Sequence, residues 1–124
     1  MNSIKFRNEK HKKQYQALLV RMKWDDSYHK SAAYLMALAD LRSDAVFDFT
    51  EDGIKREGLD EGWQTSSSRK ATRLMFNLWN GCAEEQTDDG KWETSRSYAV
   101  DNIFDNWEYA PYFYEAIRIR FGWV

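Results

Sequence analysis

The chain has 124 residues, six Trp, seven Tyr, seven Phe and a net charge of −2. That length suits one domain with a core of its own. The lone cysteine, Cys82, excludes an internal disulfide and fits a reducing cytoplasm. No apolar run opens the chain and no segment approaches the ~20 apolar residues of a membrane span, so neither a secretory leader nor a membrane association is expected.

Asn8 is a good helix cap and Glu9 suits a first turn. Tyr15, Leu18, Leu19 and Met22 then recur at helical spacing and predict a helix over about 9–23, with Lys10, Lys13 and Gln14 on the far face. Asp25, Asp26 and Ser27 break it and offer the next cap. Tyr28, Ala32, Leu35, Met36 and Ala39 line a second helix, and the short joint predicts antiparallel packing. Residues 40–65 read as an ordered irregular loop. Within it Ala45–Phe49 forms either a helical turn or an extended piece, and Ile54 and Leu59 pin the segment to the core.

A third helix is the clearest. Ala71, Leu74, Met75, Leu78 and Trp79 form an apolar stripe, Ser66–Ser68 supply capping groups and Gly81 ends it. Residues 83–93 make a polar, mostly acidic connector in which Asp89-Gly90 signals a tight turn or small hairpin. Val100, Ile103, Phe104 and Trp107 suggest a short fourth helix capped near Ser95 or Ser97. Pro111 suits a first turn, and Tyr109, Tyr112, Phe113, Ala116 and Ile117 give a fifth stripe that Gly122 closes. The predicted fold is all-α, a compact bundle of about five helices forming one domain over 1–124.

Charge is segregated. Residues 1–23 carry seven basic side chains against one acidic, and residues 65–80 three against none, whereas 24–64 and 81–124 are acidic. Such blocks either face one another inside the fold or present a basic surface to phosphate or an acidic partner.

No pattern supports catalysis. His11 and His29 fall far apart in a hairpin of the first two helices, and His11 reads as a partly buried structural histidine. No HExxH spacing and no glycine-rich phosphate loop occurs. The carboxylate pairs Asp25-Asp26, Asp60-Glu61, Glu84-Glu85 and Asp88-Asp89 sit in loops or helix starts, where solvation or capping is the ordinary role. No catalytic residue, metal or cofactor is expected.

The polar face of the third helix remains. Arg69, Arg73, Asn77 and Asn80 lie opposite its apolar stripe, with Lys70 on the flank and Trp63, Gln64 and Thr65 just before it. Arg and Asn contact phosphates and base edges. Alternatively, Arg69 and Arg73 pair with the acidic 40–64 segment while Asn77 and Asn80 satisfy loop backbone.

Over nearly its whole length the chain resembles a family of small proteins of unknown function found in Gram-positive gut bacteria, often among the cargo of conjugative elements and prophages. The resemblance rests on Phe6, Glu9, His11 and Tyr15; Tyr28-His29; Gly62-Trp63-Gln64-Thr65 with Ser68; Leu74 and Phe76-Asn77-Leu78-Trp79-Asn80-Gly81; and Tyr109-Ala110-Pro111-Tyr112-Phe113 with Glu115-Ala116-Ile117 and Arg120. The ending Phe121-Gly122-Trp123-Val124 departs from the aromatic-proline close usual in that family. The resemblance implies no reaction. It implies a setting, a mobile element in a bacterial cytoplasm, where small accessory proteins bind host or element proteins and some antagonise host defence.

The leading expectation is a non-enzymatic protein-interaction module using Trp63, Gln64, Thr65, Arg69, Arg73, Asn77 and Asn80. One alternative is nucleic-acid binding by a basic surface of Lys10, Lys12, Lys13, Arg69, Lys70 and Arg73. Another is a small enzyme with a histidine or carboxylate base.

Overall fold

The computed structural model describes residues 3–122. Its α-helices are α1 (Glu9–Arg21), α2 (Ser27–Leu38), α3 (Ser43–Val46), α4 (Ser66–Asn80), α5 (Val100–Ile103) and α6 (Ala110–Phe121). Strands β1 (Phe47–Asp48) and β2 (Gly53–Ile54) form one antiparallel pair, and β3 (Glu84–Gln86) and β4 (Trp92–Thr94) another. Short 3-10 turns cover Arg56–Asp60 and Arg96–Tyr98. The expectation of an all-α chain is therefore corrected. The protein is mostly helical, with six α-helices among the described residues, two of them single turns, and two small antiparallel ribbons. Strands of two or three residues are too short to show an alternating pattern.

α2 sits at the centre, packed on α1, α4 and α6. From Ser31 to Leu38 it carries only small, apolar or aromatic residues, and all of them are buried. A helix apolar on every side is one surrounded by protein. Ala32, Ala33 and Ala37 keep it thin enough for close neighbours. The α1–α2 hairpin is antiparallel, because His11 at the start of α1 meets Tyr34 late in α2. Asn8 caps α1 by accepting from His11 N–H, and Asp26 caps α2 by accepting from His29 N–H.

Before α1 an unexpected extended segment docks on the core. Lys5 N–H donates to Glu115 Oε2 at 2.8 Å, the Tyr34 hydroxyl donates to Lys5 O at 2.6 Å, and the Phe6 ring lies 5.2 Å from both His11 and Tyr15. Glu115, a buried carboxylate on α6, is further tied to Arg118.

The 40–65 segment is more regular than expected. Both readings of Ala45–Phe49 are realised in succession, as α3 and then β1. Asp48 Oδ1 accepts the Thr50 and Glu51 N–H groups, each at 2.9 Å, and so closes the turn to β2. Val46, Phe47 and Leu59 anchor the unit in the core, while Ile54 is only half-buried. A Cβ on Gly58 would stand 2.1 Å from Ala45 O, so the backbones approach here as only glycine permits.

In the connector after α4, β3 and β4 form the hairpin that Asp89-Gly90 signalled, with Gly90 at φ +85°. α5 buries only Ile103. Val100 is 73% exposed and Trp107 90% exposed, which corrects the expected inward stripe. Ser95 caps the Arg96–Tyr98 turn rather than α5. α6 begins with Pro111 in its first turn and ends at Gly122 in the left-handed region, φ +71°. Trp123 and Val124 lie outside the described residues.

Candidate functional site

α4 is built as its stripe requires, with Ala71, Leu74, Met75 and Leu78 inward. Its cap is Thr65, one residue before the serines: Thr65 Oγ1 accepts the Ser68 N–H at 3.0 Å and the Thr65 N–H donates to Ser68 Oγ at 2.7 Å. Gly81 closes it at φ +78°.

The polar face of α4 is turned to the protein's own loops. Gln64 is buried. Its amide donates to Gly58 O at 3.2 Å and to Thr72 Oγ1 at 3.1 Å, and its oxygen accepts from the Ser68 hydroxyl. Arg69 Nε donates to Leu59 O at 3.2 Å, and Lys70 reaches Asp105 O. Arg73 Nη2 donates to Glu85 Oε1 at 2.9 Å, both side chains being largely buried, while Arg73 Nε is buried without an acceptor. Asn77 Nδ2 donates to Cys82 O and Asn80 Oδ1 accepts from Cys82 N–H, each at 3.1 Å. Trp63 is half-buried, with its N–H on Glu61 and Arg42 5.9 Å from its ring centre. Gln64, Thr65 and Arg69 thus gather at one end of α4 and Asn77 and Asn80 at the other, about 16 Å apart by helical rise. Arg69 and Arg73 do not pair with carboxylates of 40–64; one takes a carbonyl there and the other a carboxylate of β3.

Both histidines have their ring nitrogens committed. His11 Nδ1 accepts the Arg7 N–H at 3.1 Å, so Nε2 carries the hydrogen and donates to Tyr34 O at 2.9 Å. Burial lowers its pKa; the Tyr34 carbonyl opposes this and the Arg7 charge adds to it. His11 borders a cavity of about 160 Å³ with Arg7, Lys10, Gln14 and Asp40, yet offers it no open nitrogen. His29 contacts Asp26 through Nδ1 and Asp52 through Nε2. Among the described residues, no group of three or more His, Cys, Asp or Glu side chains is disposed to hold a metal ion, and no helix is long and apolar enough to cross a membrane.

The opposed charge blocks face each other at several points. Lys10 pairs with Asp40 at 3.3 Å, Arg21 with Asp44 at 2.6 Å, and Arg7 with Glu108 at 2.6 Å.

Sequence reasoning missed an aromatic surface where the start of α2 meets the ends of α4 and α6. Arg120 lies 3.6 Å over the Tyr28 ring and 4.8 Å from the Phe121 ring centre, with its Nε held on Leu78 O at 2.8 Å. Trp79 stands edge-on to Tyr28, His29 and Phe47, at 6.4, 4.9 and 5.1 Å. Tyr28 is 42% exposed and Phe121 52%, and Trp24, just before α2, is 63% exposed. The signal was present in a scattered form: Tyr28, His29, Trp79 and Arg120 all belong to the residues that carried the family resemblance.

The protein is thus mostly helical, with its longest described helix wired to its own loops and two exposed aromatics flanking an arginine. It belongs to a family of unknown function, DUF6075, whose family model matches residues 1–123. No curated protein and no solved structure matches the chain.

Proposed function

We propose that this single-domain protein is a non-enzymatic protein-interaction module, and that its docking surface is the aromatic patch of Tyr28, Trp79, Arg120 and Phe121. The observation that carries the reading is Arg120 beside two exposed rings, with its guanidinium oriented by Leu78 O. Aromatic residues and arginine dominate the energetic centres of protein interfaces, and a side chain already held in position loses less entropy on binding. Gln64, Arg69, Arg73 and Asn77 act in this reading as scaffold for the loops, because each is at least half-buried and bonded to a partner within the chain. Thr65 and Asn80 are exposed and, with half-buried Trp63, stay open to a partner as secondary contacts.

The setting implied by the family directs the search to host or mobile-element proteins of a bacterial cytoplasm, defence effectors among them. The test is capture with the wild-type chain and with Tyr28→Ser. A partner held by wild type and lost at least tenfold by a still-folded Tyr28→Ser supports the patch; equal recovery by both sinks it.

Nucleic-acid binding has less support. Arg69, Lys70 and Arg73 are engaged with Leu59 O, Asp105 O and Glu85 respectively, so phosphates would compete with internal acceptors. Titrations with single- and double-stranded DNA and RNA are expected to be flat even at low salt. Binding that weakens with salt and with Arg69→Ala/Arg73→Ala would reverse that judgement. An enzyme with a histidine base is disfavoured by the committed nitrogens of both rings.

A further inference from the structure

The His29 side chain is 5% exposed and lies between two carboxylates, Nδ1 at 2.7 Å from Asp26 Oδ1 and Nε2 at 2.8 Å from Asp52 Oδ1. An ionised carboxylate only accepts hydrogen bonds, so both contacts are hydrogen bonds only when both ring nitrogens carry a hydrogen. That is the imidazolium; the neutral ring donates once. The two carboxylates belong to different parts of the fold. Asp26 caps α2 and also accepts the His29 backbone N–H, so it is held locally. Asp52 stands 23 residues away, in the turn joining β1 to β2, at φ +62°.

We propose that His29 is a proton-operated latch that fastens the β1–β2 turn to the first turn of α2 when charged and releases Asp52 when neutral. The local contact to Asp26 survives deprotonation and the long-range one is lost, because Asp26 has a second bond to the same residue and Asp52 has none to it. The surroundings fit this assignment. From α4 the neighbour is the uncharged Trp79 ring, 4.9 Å from the imidazole and nearly perpendicular to it, which adds no competing charge. From the joint after α1, Lys23 reaches Thr50 O of the same turn, and Asp48 closes that turn by accepting its own backbone. From α6 the charge on this side is Arg120, held over Tyr28. Burial alone would lower the histidine pKa; the hydrogen bonds and charges of Asp26 and Asp52 outweigh it and hold the value above the ordinary 6.5.

The latch does not depend on the partner reading above. It has consequences for the turn, since Phe47 of β1 packs edge-on against Trp79.

The test is NMR titration and amide hydrogen exchange on the full chain. His29 is expected to titrate above the ordinary histidine value. Across that titration, exchange protection at the Asp52 and Lys55 amides, which bond to Asp48 O and Val46 O, is expected to fall about tenfold after correction for intrinsic rates, the worth of a hydrogen bond to a charged group. Asp52→Asn should abolish the fall, because an asparagine amide donates to neutral Nε2 and the contact no longer needs the proton. Should that variant not fold, His29→Gln serves: its amide donates without titrating, so protection at the turn should then be flat across the same range. Flat protection in wild type, a fall that persists in Asp52→Asn or in His29→Gln, or a His29 pKa at or below the ordinary value would each overturn the latch.

Discussion

Two excursions flank α4 and are held by different physics. Residues 43–60, before it, are anchored by apolar side chains: Val46, Phe47 and Leu59 are all at most 1% exposed. Residues 82–98, after it, bury only Tyr98 among their hydrophobic side chains and are held by polar groups, with Arg73 and Ser95 on Glu85, Asn77 on Cys82 O, and the Tyr98 hydroxyl on Glu84 O. Burial of a large apolar side chain contributes about 1.5–3 kcal/mol at any pH. A polar tether nets about 0.5–1.5 kcal/mol and depends on the ionisation of its ends. Apart from its β1–β2 turn, the first excursion is expected to open only with the whole fold, and the second at lower cost.

The strongest way to break this contrast is to attack the apolar anchor. Phe47→Ala is expected to cost about 3–5 kcal/mol and to lower the midpoint of a single cooperative thermal transition, read by circular dichroism. A Phe47→Ala protein that keeps its midpoint while only residues 43–60 lose exchange protection would show that the first excursion is also a separable unit.

Removing the ion pair behind the hairpin should have a smaller and more local effect. Arg73→Ala leaves Glu85 without its cation and is expected to cost about 1–3 kcal/mol, with faster limited proteolysis near Asp88–Lys91 while the α2 amides keep their protection. Uniform loss of protection across the chain would contradict a locally tethered hairpin.

Acid should sharpen the comparison further. Burial pushes the Glu85 carboxyl up, but hydrogen bonds from Ser95 and Arg73 and the Arg73 charge outweigh it and hold its pKa below the ordinary 4.5. The folded form therefore binds the proton less readily than the unfolded form. The stability this contributes is present above the ordinary carboxylate range and is lost as pH falls through the lowered value. Hairpin protection is expected to fall before that of Val46 and Phe47 in an acid titration followed by exchange. Simultaneous loss in both regions would remove the distinction.

The smallest effect is expected at Lys10. Its pair with Asp40 is about two-thirds exposed at both ends, so Lys10→Ala should shift stability by less than about 0.5 kcal/mol. A larger shift in the denaturation midpoint would mean that this bridge contributes to seating α1.

The same contrast explains what was legible in the sequence. α1, α4 and α6 have one apolar face and good stop signals, so Asn8, Gly81 and Gly122 marked their ends. Local rules also identified Asp89-Gly90. They could not reveal β1 and β2, because a two-residue strand has no period and its turn is closed by the single side chain of Asp48. Nor could they reveal the extended segment at Lys5, which is defined by a partner 110 residues away. At the candidate site, helical geometry groups Arg69, Arg73, Asn77 and Asn80 opposite the apolar stripe. What faces them is tertiary: Leu59 O, Glu85 and Cys82 backbone occupy them. The aromatic surface was harder still, since Tyr28, Trp79 and Arg120 come from three helices and nothing local announces their meeting.

The clasp between Lys5 and Glu115 bears on the order in which the chain is made. During synthesis from the first residue onward, α1, α2 and α4 emerge well before α6. Until Glu115 and Phe113 leave the ribosome, one side of α2 is uncovered and the segment around Phe6 lacks an anchor for its Lys5 N–H. The earliest-made of the described residues therefore gain one of their anchors only when α6 arrives, and a nascent chain paused before residue 110 should hold Lys5 through Tyr34 alone and leave that segment more open to protease than in the finished protein.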